Sequence, residues 1–144
     1  MKIFGCFLVL ISSVCFAYFY EKSLKASLLK YAEIIEFIKY AKSQIEYFST
    51  PIDKIFTLFE SKYINEVIKN KSAPRFFIKD YAKLNEFLSS IGKGFKKEEI
   101  DLCEYNISYF QDEYSKIAYE LPNKIKVFRA MSLFVGVTLI IFLV

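Results

Sequence analysis

The sequence has no histidine, three cysteines, four glycines and three prolines, and each scarcity excludes something. Without histidine there is no histidine-dependent triad, and the commonest ligand of a zinc site is missing. Cys6, Cys15 and Cys103 are far apart, odd in number and form no C-x-x-C pair, which suits a reducing compartment rather than a disulfide framework. So few glycines and prolines leave little material for linkers, and no internal repeat or low-complexity tract is present. A phosphate loop, a nucleophile elbow, a metal-ligand cluster and a convergent acid–base pair are all missing. The sequence therefore offers no catalytic, cofactor-binding or metal-binding residue, and it predicts a non-enzyme with no cofactor and no small-molecule substrate. Residues 21–129 hold all 16 acids and 19 of the 20 basic residues, a formal +3 too mild and too evenly mixed for a nucleic-acid binder.

What is present is segregated. No Asp, Glu, Lys or Arg lies between Ile3 and Tyr20, and none follows Arg129. As a helix, Ile3–Tyr20 would span about 27 Å, close to a hydrocarbon core of about 30 Å. Tyr18, Phe19 and Tyr20 end it like an interfacial aromatic belt. A cleaved signal peptide, with Cys15 and Ala17 as the small residues, is the rival reading, but the apolar run continues past that site. A lipoprotein site at Cys15 would follow Val14, where a small residue is wanted. Ala130–Val144 is shorter, about 22 Å of helix, and gains length if Arg129 snorkels beyond Val127 and Phe128. A buried core helix is its alternative, although such a helix rarely closes a chain with an unbroken apolar run. Lys22, Lys25 and Lys30 follow the first segment, and Lys124, Lys126 and Arg129 precede the second. The positive-inside rule places the middle in the cytoplasm. The expected organisation is a membrane helix at 1–20, a cytoplasmic helical bundle at 21–129 and a second membrane helix at 130–144, in the cell membrane.

The middle reads as all-α. Leu24, Leu28, Tyr31, Ile35, Ile38 and Ile45 alternate in steps of four and three, with Lys42 in the remaining slot, so the first helix is predicted to run on to about Phe48. Ser49-Thr50-Pro51-Ile52-Asp53 is a helix start in which Thr50 caps, Pro51 takes the first helical position and Asp53 meets the dipole. A second helix would present Ile52, Ile55, Phe56, Phe59 and Tyr63 on one face. After a turn at Asn70–Pro74, a third would carry Phe77, Tyr81, Leu84, Leu88 and Ile91 and stop at Gly92-Lys93-Gly94. A fourth would begin near Lys96 with a seam of Ile100, Cys103, Ile107, Phe110, Tyr114, Ile117 and Leu121, until Pro122 breaks or kinks it. Cys103 reads as a small buried hydrophobe. The acids Glu98, Glu99 and Asp101, like Asp112 and Glu113, read as solvated helix faces. Short connections favour a small antiparallel bundle.

The order of features resembles the stage III sporulation protein AB family, of the type II secretion F-like group. The residues that carry the resemblance are Tyr20-Glu21-Lys22-Ser23-Leu24, Gln44-Ile45-Glu46-Tyr47-Phe48-Ser49-Thr50-Pro51-Ile52, Ile91-Gly92-Lys93-Gly94-Phe95, and Lys126-Val127-Phe128-Arg129 through Gly136 to Val144. The family's second glycine and Ser-Asp pair are replaced around Lys96–Glu99, Cys103 stands at a usual glutamine, and Ser61–Tyr81 is short. The resemblance implies Glu46, Tyr47, Thr50, Pro51, Gly92 and Gly136 as motif or structural positions. It implies a non-enzymatic component of a channel or secretion-like complex in the mother-cell membrane, coupling a cytoplasmic ATPase to other small membrane subunits. On that reading Glu46 and Asp53 are the partner surface. A different class also fits the seams: an envelope or cell-division adaptor with a coiled-coil-like middle that dimerises.

Overall fold

A computed structural model describes residues 2–48, 50–70 and 80–143. They form helix α1 (Lys2–Ser43), a π-helical turn (Gln44–Phe48), α2 (Ile52–Leu58), α3 (Lys62–Asn70), α4 (Tyr81–Ser90) and α5 (Lys96–Leu143). The chain is thus all-helical among the described residues. Ser49, the expected turn residues Lys71–Pro74 and Phe77 of the expected third helix lie outside them. Two compact units result: Met1–Ala26 with Lys116–Val144, and Ser27–Ser115.

In the unit Ser27–Ser115, α1 is the central post. Tyr31, Ile34, Ile35, Phe37, Ile38, Ala41 and Ile45 are all buried, a wider arc than a four–three seam. Other helices pack against two sides of it. Phe37 meets Phe56 and Phe59, and Tyr40 meets Phe59, at centroid distances of 5.2–5.9 Å. Tyr31 faces Phe110 of α5 at 6.3 Å. Lys42, the odd slot in the seam, reaches Glu104 at 2.6 Å. Pairings of Tyr31 with Phe110 and of Lys42 with Glu104 show that α1 and α5 run antiparallel here.

Four expectations need correction. The second helix is two: Phe59 is extended and Ser61 restarts the helix as a cap. The Ser61 hydroxyl accepts from the Ile64 N–H (3.3 Å) and donates to Glu33 (2.9 Å), so a buried serine satisfies the break without glycine or proline. Thr50 does not cap α2: Pro51 holds the cap position, no side chain bonds the helix N-terminus, and the Thr50 hydroxyl donates to Gln44 Oε1 at 3.0 Å. Pro51 stands one place before the first helical residue, its carbonyl accepting from Lys54 and Ile55. Pro122 does not break α5, which continues through it. One missing N–H removes a single hydrogen bond, and the neighbouring turns keep theirs. On α5 the buried positions are Glu99, Cys103, Asn106 and Phe110, with Ile100 and Ile107 only half-buried.

Polar ties hold the shorter helices in place. Asp80, just before α4, accepts from the Tyr31 hydroxyl at 2.8 Å and the Tyr109 hydroxyl at 3.0 Å. Its side chain therefore joins α1 and α5 instead of capping α4. Burial first, then the Asp80 bond, pushes the Tyr31 hydroxyl above its usual range, and the same causes take Tyr109 to about 12.

In the other unit the two helices also run antiparallel. Ser13 and Ser132 exchange hydrogen bonds: hydroxyl to hydroxyl at 2.9 Å, and the Ser132 hydroxyl to the Ser13 carbonyl at 2.6 Å. Tyr20 stacks on Phe128 at 3.8 Å, and Arg129 pairs with Glu21, which also takes Lys25 at 2.7 Å. Those two cations hold the Glu21 carboxyl below its ordinary range. Ala17 and Gly136 are buried, which allows close approach. Among the described residues no helix is long and apolar enough to cross a membrane. Both expected spans reach beyond the described side chains, at Ile3, Phe4, Cys6, Phe7 and Leu10 and at Phe142, Leu143 and Val144.

Candidate partner-docking corner

The turn from α1 into α2 and the turn from α4 into α5 meet at one corner of the bundle. The first turn is widened: Gln44–Phe48 is π-helical, and the Thr50 N–H reaches back six residues to the Gln44 carbonyl at 3.2 Å. Such turns occur often at functional sites. In the second turn, Gly92 has φ +89°. A Cβ there would sit 3.0 Å from Ile52 Cγ2, so backbone conformation and space both demand glycine.

Glu99 fixes the second turn. The residue is 6% exposed, and its carboxylate accepts from the Gly92 N–H at 2.8 Å and the Gly94 N–H at 2.7 Å. Glu98 accepts from the Phe95 N–H at 3.1 Å, the acidic half of a capping box. Glu99 is therefore a buried structural ligand of the backbone, not part of a solvated face. Only the acid three residues into the helix was a readable signal for this arrangement; nothing in the sequence marked Glu99 itself.

Ile45, Thr50, Ile52, Gly92, Gly94, Lys96 and Glu99 enclose an open hollow of about 190 Å³. Thr50 and Gly92, forty-two residues apart, share it. Pro51 is exposed beside it. Tyr47, Phe48 and Phe95, within the two turns, are 73%, 70% and 81% exposed. Neither sequence pattern nor charge singled out Phe48 or Phe95.

The two proposed partner acids do not share this hollow. Glu46 lines a groove between α1 and α5 with Lys39, Lys42, Glu104 and Gln111. Asp53 is exposed in the first turn of α2. Gly136 is elsewhere, in the helix pair of the other unit. The Lys42 ammonium is held above its ordinary range, first by its hydrogen bond to Glu104. Burial pushes the Cys103 thiol up to about 12, so it is a neutral core group. No cluster of three or more carboxylates or thiols is placed to hold a metal among the described residues.

The described residues thus form an all-helical bundle with an open corner between two turns. The sequence profile of the stage III sporulation protein AB family matches residues 2–73, and the chain belongs to that family. It is accordingly a sporulation protein, from a family of complex components and not from a known enzyme family. The match covers Glu46, Tyr47, Thr50, Pro51 and Asp53, and stops short of Gly92 and Gly136. Neither the curated proteins nor the solved structures contain a match.

Proposed function

We propose that this protein is a membrane component of a sporulation channel or secretion-like complex, in which its bundle couples a cytoplasmic ATPase to the membrane. On this reading Ile3–Tyr20 and Ala130–Val144 cross the mother-cell membrane as an antiparallel pair, and the middle is a type II secretion F-like bundle in the cytoplasm. Other small membrane subunits complete the assembly. Family membership supports the setting.

One observation carries the membrane reading: the helix pair exposes its apolar side chains. Leu8, Ile11, Val14, Phe16, Leu133, Phe134, Val137 and Ile141 are all exposed. At about 25 cal/mol per Å² of apolar surface, water is a costly environment for such a face and lipid a favourable one. The polar groups agree. Ser12 donates to the Leu8 carbonyl, Thr138 to the Phe134 carbonyl, and Ser13 and Ser132 satisfy each other. Internal satisfaction is what a hydrocarbon surrounding requires. The flanking lysines and Arg129 set the orientation.

The corner is the proposed docking surface, with Tyr47, Phe48 and Phe95 as apolar anchors and Glu46 and Asp53 as flanking charges. Detergent-solubilised full chain should retain the ATPase of the same complex in a pull-down. The double variant Phe48→Ala/Phe95→Ala should lose most of it, and a pull-down with no ATPase under conditions where a related pair binds would refute the coupling.

A further inference from the structure

The helix pair carries a groove that the coupling role does not use. It is about 530 Å³ in volume, and Leu8, Ser12 and Phe16 of α1 face Phe128, Val135 and Leu139 of α5 across it. We propose that this groove binds one anionic phospholipid, acyl chains along the groove and phosphate at its lysine-bearing end; the inference rests on the membrane reading above.

Three observations select this occupant. The hydroxyls along the groove, on Ser12, Ser13 and Ser132, are already hydrogen-bonded within the pair, so the groove offers an occupant only apolar contact. Leu8 to Phe16 covers about 12 Å of helix, a stretch that an alkyl chain can follow lengthwise. Finally, one end is aromatic and basic. The Phe16–Phe128 and Tyr20–Phe128 contacts close it, and Lys124, one turn beyond Phe128, lies within electrostatic reach of Tyr20. Lys22, Lys25, Lys124, Lys126 and Arg129 outnumber Glu21 and Glu120 there. Lys22 and Lys126 are exposed and have no ion pair among the described residues. A phosphate at this level meets a net positive surface.

Native mass spectrometry of the full chain in a mild non-ionic detergent, with added dioleoyl-phosphatidylglycerol or dioleoyl-phosphatidylcholine, tests this. The expected result is one phosphatidylglycerol per chain, with Lys126→Glu weakening its preference over phosphatidylcholine by about fivefold. Ser12→Trp or Val135→Trp, which fill the groove from either helix, should remove both lipids while circular dichroism stays unchanged. Equal retention of the two lipids, retention by the filled variants, or a lipid-free dimer would overturn the proposal. If a filled variant loses its helicity, Lys126→Glu decides alone. Alkaline extraction of membranes separates the two claims. A chain released into solution ends both, whereas a chain that stays in the membrane without binding lipid ends only this one.

Discussion

Glu99 holds two backbone N–H groups from a position that is almost wholly buried, so its removal strands two donors at once. Glu99→Ala should lower stability by about 2–4 kcal/mol, since hydrogen bonds to charged groups are the strong ones, and a urea melt of the full chain in detergent measures it. Gly92→Ala should cost about 1–2 kcal/mol on the same assay, because φ +89° and the Ile52 contact oppose a Cβ together. Cys103 and Tyr63 make a pH prediction. Burial raises both, each to about 12, from ordinary values of 9.0 and 10.0. Their neutral forms therefore contribute stability that is intact below pH 9 and lost as pH rises from 9 toward 12. Melts between pH 7 and 11 should show a plateau and then a decline, and Cys103 should resist alkylation at pH 8 in the folded chain.

At the scale of the element, α5 shows what hydrophobic spacing reveals and what it hides. Cys103 and Phe110 were readable as core because they are apolar at the right spacing, and both are fully buried. Glu99 and Asn106 were not, because they are polar and adjoin Ile100 and Ile107, which project within the same arc. Burial of Glu99 depends on two N–H groups from a different turn. The Asn106 side chain donates to the Leu102 carbonyl four residues back. The corner was half legible: Thr50-Pro51 and Gly92 stood out singly, but their meeting depends on how α1 and α5 pack. The break between α2 and α3 was hidden for a related reason, since its cap, Ser61, is secured by Glu33 on another helix. Ser61→Ala should destabilise by about 1 kcal/mol. Pro122 is the converse case, a strong sequence signal that the helix absorbs. Pro122→Ala restores the missing N–H and should raise stability by about 1–3 kcal/mol with helicity by circular dichroism unchanged.

For the whole molecule, one chain supplies two kinds of surface. The bundle buries a core of Tyr31, Phe37, Ile64, Leu84, Phe87 and Phe110, as a domain in water does. The helix pair leaves its large apolar side chains outside and bonds the Ser12, Ser13, Ser132 and Thr138 hydroxyls within, which is what the proposed lipid surrounding would require. Basic residues follow the first apolar segment and precede the second, so on the proposed membrane reading the same charges would orient both. Labelling with a membrane-impermeant maleimide in intact cells tests this most directly, using a chain whose native cysteines are replaced. Lys93→Cys, at the exposed corner, should stay unlabelled until the cells are permeabilised, while a cysteine appended after Val144 should label at once. Immediate labelling of Lys93→Cys, or protection of the appended cysteine, would contradict the account.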